Sequence, residues 1–294
     1  MSEFNCPVCG NVINKSFFQC KDFSVSDEMF DICGCPQCLF ATTIPQPQPS
    51  EVGKYYATEE YVSHSDTTKG VVNKLYHQIR KRNTKRKLAH VNNCAKQTGN
   101  LLDMGCGTGY FLSICKQSGW NVEGVEVSDI ARSKAEERIG QKLHTSLDAL
   151  LTEEKRFDVI TLWHVFEHLY DINASFLQLK KLLKPQGVLV LALPNPASFD
   201  AQHYQQFWAA YDAPRHLSHF QPETIKMLSQ KHGMKVSSVR PMRFDAFYIS
   251  ILSEKLKGSG KFVALIKGFW NGFRSNCKAR KTGNYSSVIY TIVE

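Results

Sequence analysis

From residue 100 onward, short apolar runs alternate with amphipathic stretches. Strands are predicted at Asn100–Met104, Trp120–Val127, Phe157–Leu162 and Gly187–Leu193, with a weak one at Lys142–Thr145. Between them, Tyr110–Gln117 reads as a helix ended by Ser118-Gly119. Ser128-Asp129 caps a helix to Ile139, and Ile172–Leu183 reads as a third. Further on come a helix at Pro222–His232, a strand at Met234–Pro241, helices at Asp245–Leu256 and Phe262–Phe273, and a strand at Ser286–Val293. Upstream, Ser50 can cap a short helix through Tyr56. Thr67–Ala95 is long, basic and amphipathic, with Val71, Leu75, Ile79, Leu88 and Val91 as inward positions. Apolar strands alternating with helices make a parallel sheet covered on both faces, which binds ligands at the carboxyl ends of its strands.

Composition narrows the class. The 294 residues are 43% hydrophobic and 21% charged, ordinary usage for a chain that buries a core. The longest apolar run, Val188–Leu193, is far short of the roughly 18 residues of a transmembrane segment. No secretory signal is visible at the N-terminus, so a cytoplasmic protein is expected. The net charge of +9 is concentrated: Arg80, Lys81, Arg82, Lys85, Arg86 and Lys87 supply six positives. Such a run is either a solvated helix face or a grip on nucleic acid, and no aromatic residues interleave to stack on bases. A looser cluster comprises Lys267, Arg274, Lys278, Arg280 and Lys281.

Six of the ten cysteines precede residue 39. Cys6-Pro7-Val8-Cys9-Gly10 and Cys35-Pro36-Gln37-Cys38 are Cys-x-x-Cys knuckles separated by 25 residues. Two such turns complete a closed tetrahedral S4 site, which favours structural zinc. Cys33 could replace Cys35, although the repeated Cys-Pro-x-Cys pattern prefers Cys35. Ile44-Pro45-Gln46-Pro47-Gln48-Pro49-Ser50 then reads as a semi-rigid linker. The expected organisation is a zinc-ribbon-like module over 1–44, a linker with helices over 45–98, and an α/β domain over 99–294.

The first strand runs into Asp103-x-Gly105-x-Gly107-x-Gly109. Tyr110 occupies the third glycine position of the dinucleotide fingerprint, and no phosphate-loop pattern is present. An acid before three alternating glycines suits a ligand with an ammonium group and no phosphate. Glu126 closes the second strand, where a carboxylate can accept ribose hydroxyls.

In these segments the chain resembles the class I S-adenosylmethionine-dependent methyltransferases. Leu101–Leu112 is similar to their first motif and Glu126 to the acidic end of their second strand. Phe157-Asp158-Val159-Ile160 is similar to their fourth strand, and Leu182–Val188 to the turn before their fifth. The Cys knuckles, the Pro linker and the Lys54–Tyr61 stretch resemble a bacterial subgroup with a zinc module, which includes sugar C-methyltransferases. The resemblance implies a Rossmann-like seven-stranded sheet with its last strand antiparallel, and a helical insertion over 242–284. It further implies that Asp103, Gly105 and Gly107, within a turn that includes Cys106 and Gly109, hold the methionine end of the cofactor. Glu126 would hold the ribose, and Ser146 and Leu147 would lie beside the adenine, with Asp148 the nearest acid for its amino group.

His164-Val165-Phe166-Glu167-His168 matches an inverted zinc-protease pattern, which requires a helix; its place after a strand argues against that. By the resemblance, His164 borders the methyl group, and Glu167 and His168 face the acceptor or orient its loop. The segment Pro194–Phe220 is long and rich in aromatics and histidines, and loops of this length are usually functional. Its Tyr211-Asp212-Ala213-Pro214-Arg215-His216-Leu217 ending resembles the subgroup's substrate segment. There a histidine matching His216 is the base, and an acid stands where this chain has Arg215. Arg215 suits an anionic acceptor. His216 is thus the first candidate for proton removal and His168 the second, with His203 and His219 as loop or core residues. Phe269, Trp270 and Phe273 could cover a pocket, bind a membrane surface or pack; aromatics at helical spacing are expected to pack. The expected activity is methyl transfer to a small molecule, at oxygen or carbon, with a sugar or related metabolite as one acceptor class. Two alternatives are an RNA-modifying methyltransferase gripping nucleic acid with the basic helix and zinc module, and a non-catalytic cofactor-binding scaffold.

Overall fold

The computed structural model describes residues 4–56, 71–95 and 97–294. The start of the basic helix at 67–70 and Tyr61 lie outside the described residues. So do the side chains of Val71, Leu75, Ile79, Arg80 and Lys81.

In chain order, β1 (Phe4–Asn5) and β2 (Val12–Ile13) flank the first Cys knuckle, and β3 (Ser16–Lys21), β4 (Met29–Gly34) and β5 (Ala41–Ile44) follow. The linker leads through a 3-10 turn at Val52–Tyr56 toward α1 (Val71–Cys94). Then come β6 (Asn100–Met104), α2 (Tyr110–Gln117), β7 (Asn121–Val125), α3 (Asp129–Ile139), α4 (Asp148–Thr152) and β8 (Phe157–Trp163). A 3-10 turn at Phe166–His168 precedes α5 (Ile172–Leu182), β9 (Leu183–Pro194), α6 (Phe199–Tyr204) and β10 (Ser218–His219). The chain ends with α7 (Pro222–Lys231), β11 (Lys235–Pro241), α8 (Asp245–Leu256), α9 (Lys261–Thr282) and β12 (Ser287–Val293).

Local chemistry sets several boundaries. Ser128 caps α3, its Oγ accepting from Ala131 N, and Gly140 ends that helix in the left-handed region at φ 69°. α9 runs nine residues past the expected Phe273, because nothing breaks it before Gly283, which caps it at φ 78°.

The strand orders are β1-β2, β10-β5-β4-β3 and β11-β12-β9-β8-β6-β7. The last is the expected Rossmann-like mixed sheet, with β6 parallel to both β7 and β8. Its six strands are extended at Lys142–Thr145 by a single parallel bridge, Val125 to His144. Two backbone hydrogen bonds hold that bridge, His144 N to Gly124 O and Glu126 N to His144 O, before the chain turns into α4.

The chain forms two compact units. One comprises Met1–Ala57, Phe166–Asn173 and Ala192–Tyr290, and the other Thr58–Val165, Ala174–Leu191 and Thr291–Glu294. In the first, Cys20, Phe30, Ile32 and Tyr55 share one buried cluster with Tyr204, Trp208, Tyr211 and Ile249. A segment too short to bury its own core thus completes it with residues from the far end of the chain. In the second, Leu101, Leu102, Val159, Ile160 and Leu162 are fully buried, as both-face burial of a parallel sheet demands.

Candidate active site

In the second unit, register places Asp103 opposite Gly124 on β7 and Thr161 on β8. Thr161 Oγ1 donates to Asp103 Oδ1 at 2.6 Å. Burial pushes the Asp103 carboxyl up to about 7, opposed by that hydrogen bond and by the charge of Lys87. The turn that follows is left-handed at Gly105, Gly107 and Gly109, with φ of 71°, 55° and 76°. A Cβ at Gly105 would lie 2.3 Å from Val165 Cγ2, and one at Gly109 would lie 2.9 Å from Ala135 Cβ. At Gly107 it would meet nothing within 4 Å among the described residues, so none of them obstructs approach to this backbone. The Cys106 thiol is buried and turned toward Gly124.

Glu126 accepts from Gly107 N at Oε2 (2.8 Å) and from Ser128 N at Oε1 (2.9 Å). Each oxygen keeps a further lone pair, so the carboxylate is fixed and still able to accept hydroxyls. Ser146 Oγ donates to Asp148 Oδ2 at 2.9 Å where α4 begins, and Leu147 between them is buried. His164 leaves β8 with φ 58°, a conformation that side-chain-bearing residues seldom adopt. No sequence signal singled out Thr161 or Trp163, and Lys87 stood out only as part of the basic run. Lys87 Nζ stands 4.5 Å from the centroid of the Trp163 ring, and the buried Trp163 Nε1 has no hydrogen-bond partner among the described residues.

These residues fit S-adenosylmethionine. A buried carboxylate suits the ammonium, the unobstructed Gly107 turn lets a ligand approach the backbone, and the anchored Glu126 suits a ribose. The segment from strand end to 3-10 turn at 164–168 is not a helix, so the protease pattern lacks the geometry it needs.

In the first unit, Glu167, His168 and His216 can each offer one ligating atom, all within 4.8 Å of one another. His168 and His216 meet edge to face, 4.6 Å between ring centroids. His216 Nδ1 donates to Ala210 O at 2.9 Å. His168 Nδ1 donates to Arg215 O at 2.9 Å, with the Tyr56 hydroxyl at 3.1 Å. A carbonyl only accepts, so each Nδ1 carries a proton, and whenever either ring is neutral its lone pair sits on Nε2. His216 Nε2 lies 4.0 Å from Glu167 Oε1. Burial and the neighbouring His216 charge hold the His168 pKa down at about 4.

Arg215 is not available to an acceptor as expected. It is 4% exposed, and its guanidinium donates to Asp22 Oδ1 (3.0 Å), Asp212 Oδ1 (2.7 Å) and Tyr55 O (3.0 Å). Tyr211 is likewise buried, edge-on to Phe18, Trp208 and His219. His219 is a core residue, its Nε2 3.0 Å from Thr43 Oγ1.

The four expected thiols, Cys6, Cys9, Cys35 and Cys38, come together with their sulfurs within 4.8 Å of one another, and Cys33 is not among them. The Cys6–Cys38 and Cys9–Cys35 sulfurs stand 3.3 Å and 3.5 Å apart, too far for a disulfide and fit for a shared cation. Burial raises the Cys35 thiol, but the N–H groups of Cys38 and Gln37 outweigh it and bring the pKa down to about 7. Thr224 Oγ1 donates to Cys38 O, and Lys231 Nζ and Asn173 Nδ2 donate to Pro7 O, which ties both knuckles to other residues of the same unit.

The solved structures show the same fold. Similar ones include an S-adenosylmethionine-dependent methyltransferase from Archaeoglobus fulgidus, with TM-score 0.50 and 18% identity over 73% of this chain and 94% of that one. Another is StiE O-MT residues 961–1257, with TM-score 0.51 and 14% identity over 77% and 78%. A curated relative, the ubiquinone biosynthesis O-methyltransferase of Bartonella tribocorum, is 33% identical over 102 residues. That match covers 32% of this chain and 41% of the relative, so the chain spans less than half of the relative's length. The model of the family described as "Methyltransferase domain" matches residues 75–239, more than half of the chain. With the acid, the glycine turn and the second-strand glutamate all inside that span, the chain belongs to the methyltransferase-domain family.

Proposed function

We propose that the chain transfers a methyl group from S-adenosylmethionine to a hydroxyl or activated carbon of a small molecule, with His216 removing the proton. The cofactor's sulfonium supplies an already activated methyl group, so the protein needs no strong acid. Asp103 and the Gly105–Gly109 turn would hold the methionine end, and Glu126 the ribose. Ser146 and Leu147 would lie by the adenine and His164 by the methyl group.

The observation that carries this reading is the locked tautomer of His216. Its Nδ1 proton is held by Ala210 O, which leaves Nε2 as the basic nitrogen. A proton taken there makes an imidazolium whose charge the nearby Glu167 carboxylate stabilises. His168 stays neutral at ordinary pH, so it adds no opposing charge beside His216. Arg215 acts on this group indirectly, its backbone carbonyl orienting His168. Zinc is the metal proposed for the four thiolates, in a structural role, because a closed S4 set leaves no open coordination position.

The test is calorimetric binding of S-adenosylmethionine and S-adenosylhomocysteine, followed by turnover on a panel of sugar nucleotides, phenols and RNA. His216→Gln is expected to bind cofactor as the wild type does and to lose at least about a hundredfold in turnover. Cofactor binding without turnover on any acceptor would favour a scaffold. Turnover on RNA that weakens steeply with salt would move the acceptor class to nucleic acid.

A further inference from the structure

Helix α9 is built inside out. Its small residues Ala264, Gly268, Gly272, Ser275 and Ala279 are buried. A Cβ at Gly268 would lie 2.5 Å from Ile251 Cα, and one at Gly272 would lie 2.7 Å from Phe247 Cα. The close approach to α8 therefore fixes which face of α9 points inward. Phe262, Leu265, Ile266, Phe269, Trp270 and Phe273 are left outside, between 47% and 74% exposed. The expectation that these aromatics pack in the core is corrected by this arrangement. At 100° per residue the six form one continuous ridge along the helix. A contiguous exposed apolar surface of this kind marks an interaction site.

The charges identify the occupant. α9 carries Lys261, Lys267, Arg274, Lys278, Arg280 and Lys281 and no acidic residue. Lys267, Arg274, Lys278 and Lys281 follow one flank of the ridge at the same helical spacing. Arg274 and Lys278 also stand over the Phe199 ring, at 5.2 Å and 3.9 Å. A second copy of this chain would bring six cations against six. A bilayer with anionic headgroups instead offers apolar depth to the ridge and negative charge to the flank. No described helix is long and apolar enough to cross a membrane, so the fitting geometry lies along the surface.

We propose that the outward face of α9 docks this protein on an anionic lipid bilayer, with the Phe269–Trp270–Phe273 ridge inserted among the acyl chains and the flanking cations on lipid phosphates. The reading is independent of the methyl acceptor.

The full-length chain is floated with phosphatidylcholine vesicles prepared with and without phosphatidylglycerol. Binding to the anionic vesicles is expected, falling at high salt. Ile266→Glu with Trp270→Glu is expected to lower the bound fraction about tenfold or more with unfolding temperature unchanged. Lys267→Glu with Lys281→Glu keeps the ridge intact and is expected to abolish the preference for anionic vesicles. The proposal is overturned if the wild type does not float with anionic vesicles, or if both variants float as the wild type does. It is equally overturned if light scattering finds a dimer that Trp270→Glu dissociates while vesicle binding is absent.

Discussion

Asp22 and Arg215, 193 positions apart, form a buried ion pair with Oδ1 and Nη2 3.0 Å apart. Asp22 also accepts from Ser24 N, Ser26 N and Ser26 Oγ, so its charge is held by a full set of donors. The pair joins the cysteine-bearing hairpin to the residue immediately before His216. Removing one partner strands the other charge away from water. Arg215→Ala is expected to cost about 3 kcal/mol in denaturant unfolding. Turnover should fall with cofactor affinity preserved. Equal loss of cofactor affinity would show that Arg215 supports more than the histidine cluster.

Cofactor affinity should depend on pH through Asp103. Its pKa, raised to about 7 by burial, means that the folded chain holds a proton there in mild acid. That proton favours the apo fold at low pH, and the benefit is lost as pH rises through about 7. An ammonium ligand requires the ionised acid. Affinity for S-adenosylmethionine is therefore expected to weaken about tenfold per pH unit below ~7, with proton release on binding. Calorimetry in buffers of different ionisation enthalpy measures both, and Asp103→Asn should remove the slope.

Acid should destabilise the first unit well before its carboxylates titrate. His168 and His219 have folded pKa values of about 4 and about 3, each lowered first by burial and then by the His216 charge. Unfolded, they take protons near 6.5, so the unfolded chain binds more protons between 6.5 and 4 and stability falls as pH drops through that window. Each contributes a slope of up to about 1.4 kcal/mol per pH unit. Melting curves of the wild type and His168→Gln at pH 7 and pH 5 check this, the variant having the smaller difference.

One zinc per chain is expected by elemental analysis. Stripping it should lower the unfolding temperature and expose the thiols to alkylation. Because Cys20, Phe30 and Tyr55 share a core with Trp208 and Tyr211, turnover should fail along with the metal. Cofactor binding, proposed for Asp103, the glycine turn and Glu126 of the second unit, should persist. Retained turnover in a zinc-free sample would sink this coupling.

Gly105→Ala should be felt through Val165, whose Cγ2 lies 2.3 Å from where the new methyl would stand. The left-handed φ of 71° adds strain for any side chain. The expected result is a loss of about tenfold or more in cofactor affinity with the fold retained, read by calorimetry and circular dichroism.

The sheet and most helices were legible because burial on a parallel sheet imposes continuous apolar runs, as at Val188–Leu193. The helix Asp245–Leu256 has the predicted boundaries. Cys6, Cys9, Cys35 and Cys38 were legible because the i, i+3 knuckle is local chemistry. Arg215 was not: its partner Asp22 lies across a fold whose pairing leaves no period in the sequence. Thr161 was hidden likewise, since only strand register sets it beside Asp103. On α9 the aromatic spacing pointed inward, but Gly268 and Gly272 permit a closer approach than any aromatic, and the helix turned its small face to α8.

The pairing of β10 with β5, Ser218 opposite Thr42, has a consequence for synthesis. β5 leaves the ribosome 176 residues ahead of the strand that covers its edge, a wait of roughly 10–35 s at ordinary elongation rates. Throughout that interval the nascent hairpin presents an unpaired strand edge and half a core. Early metal capture by the two knuckles would keep this stretch from pairing with other chains until the tail arrives.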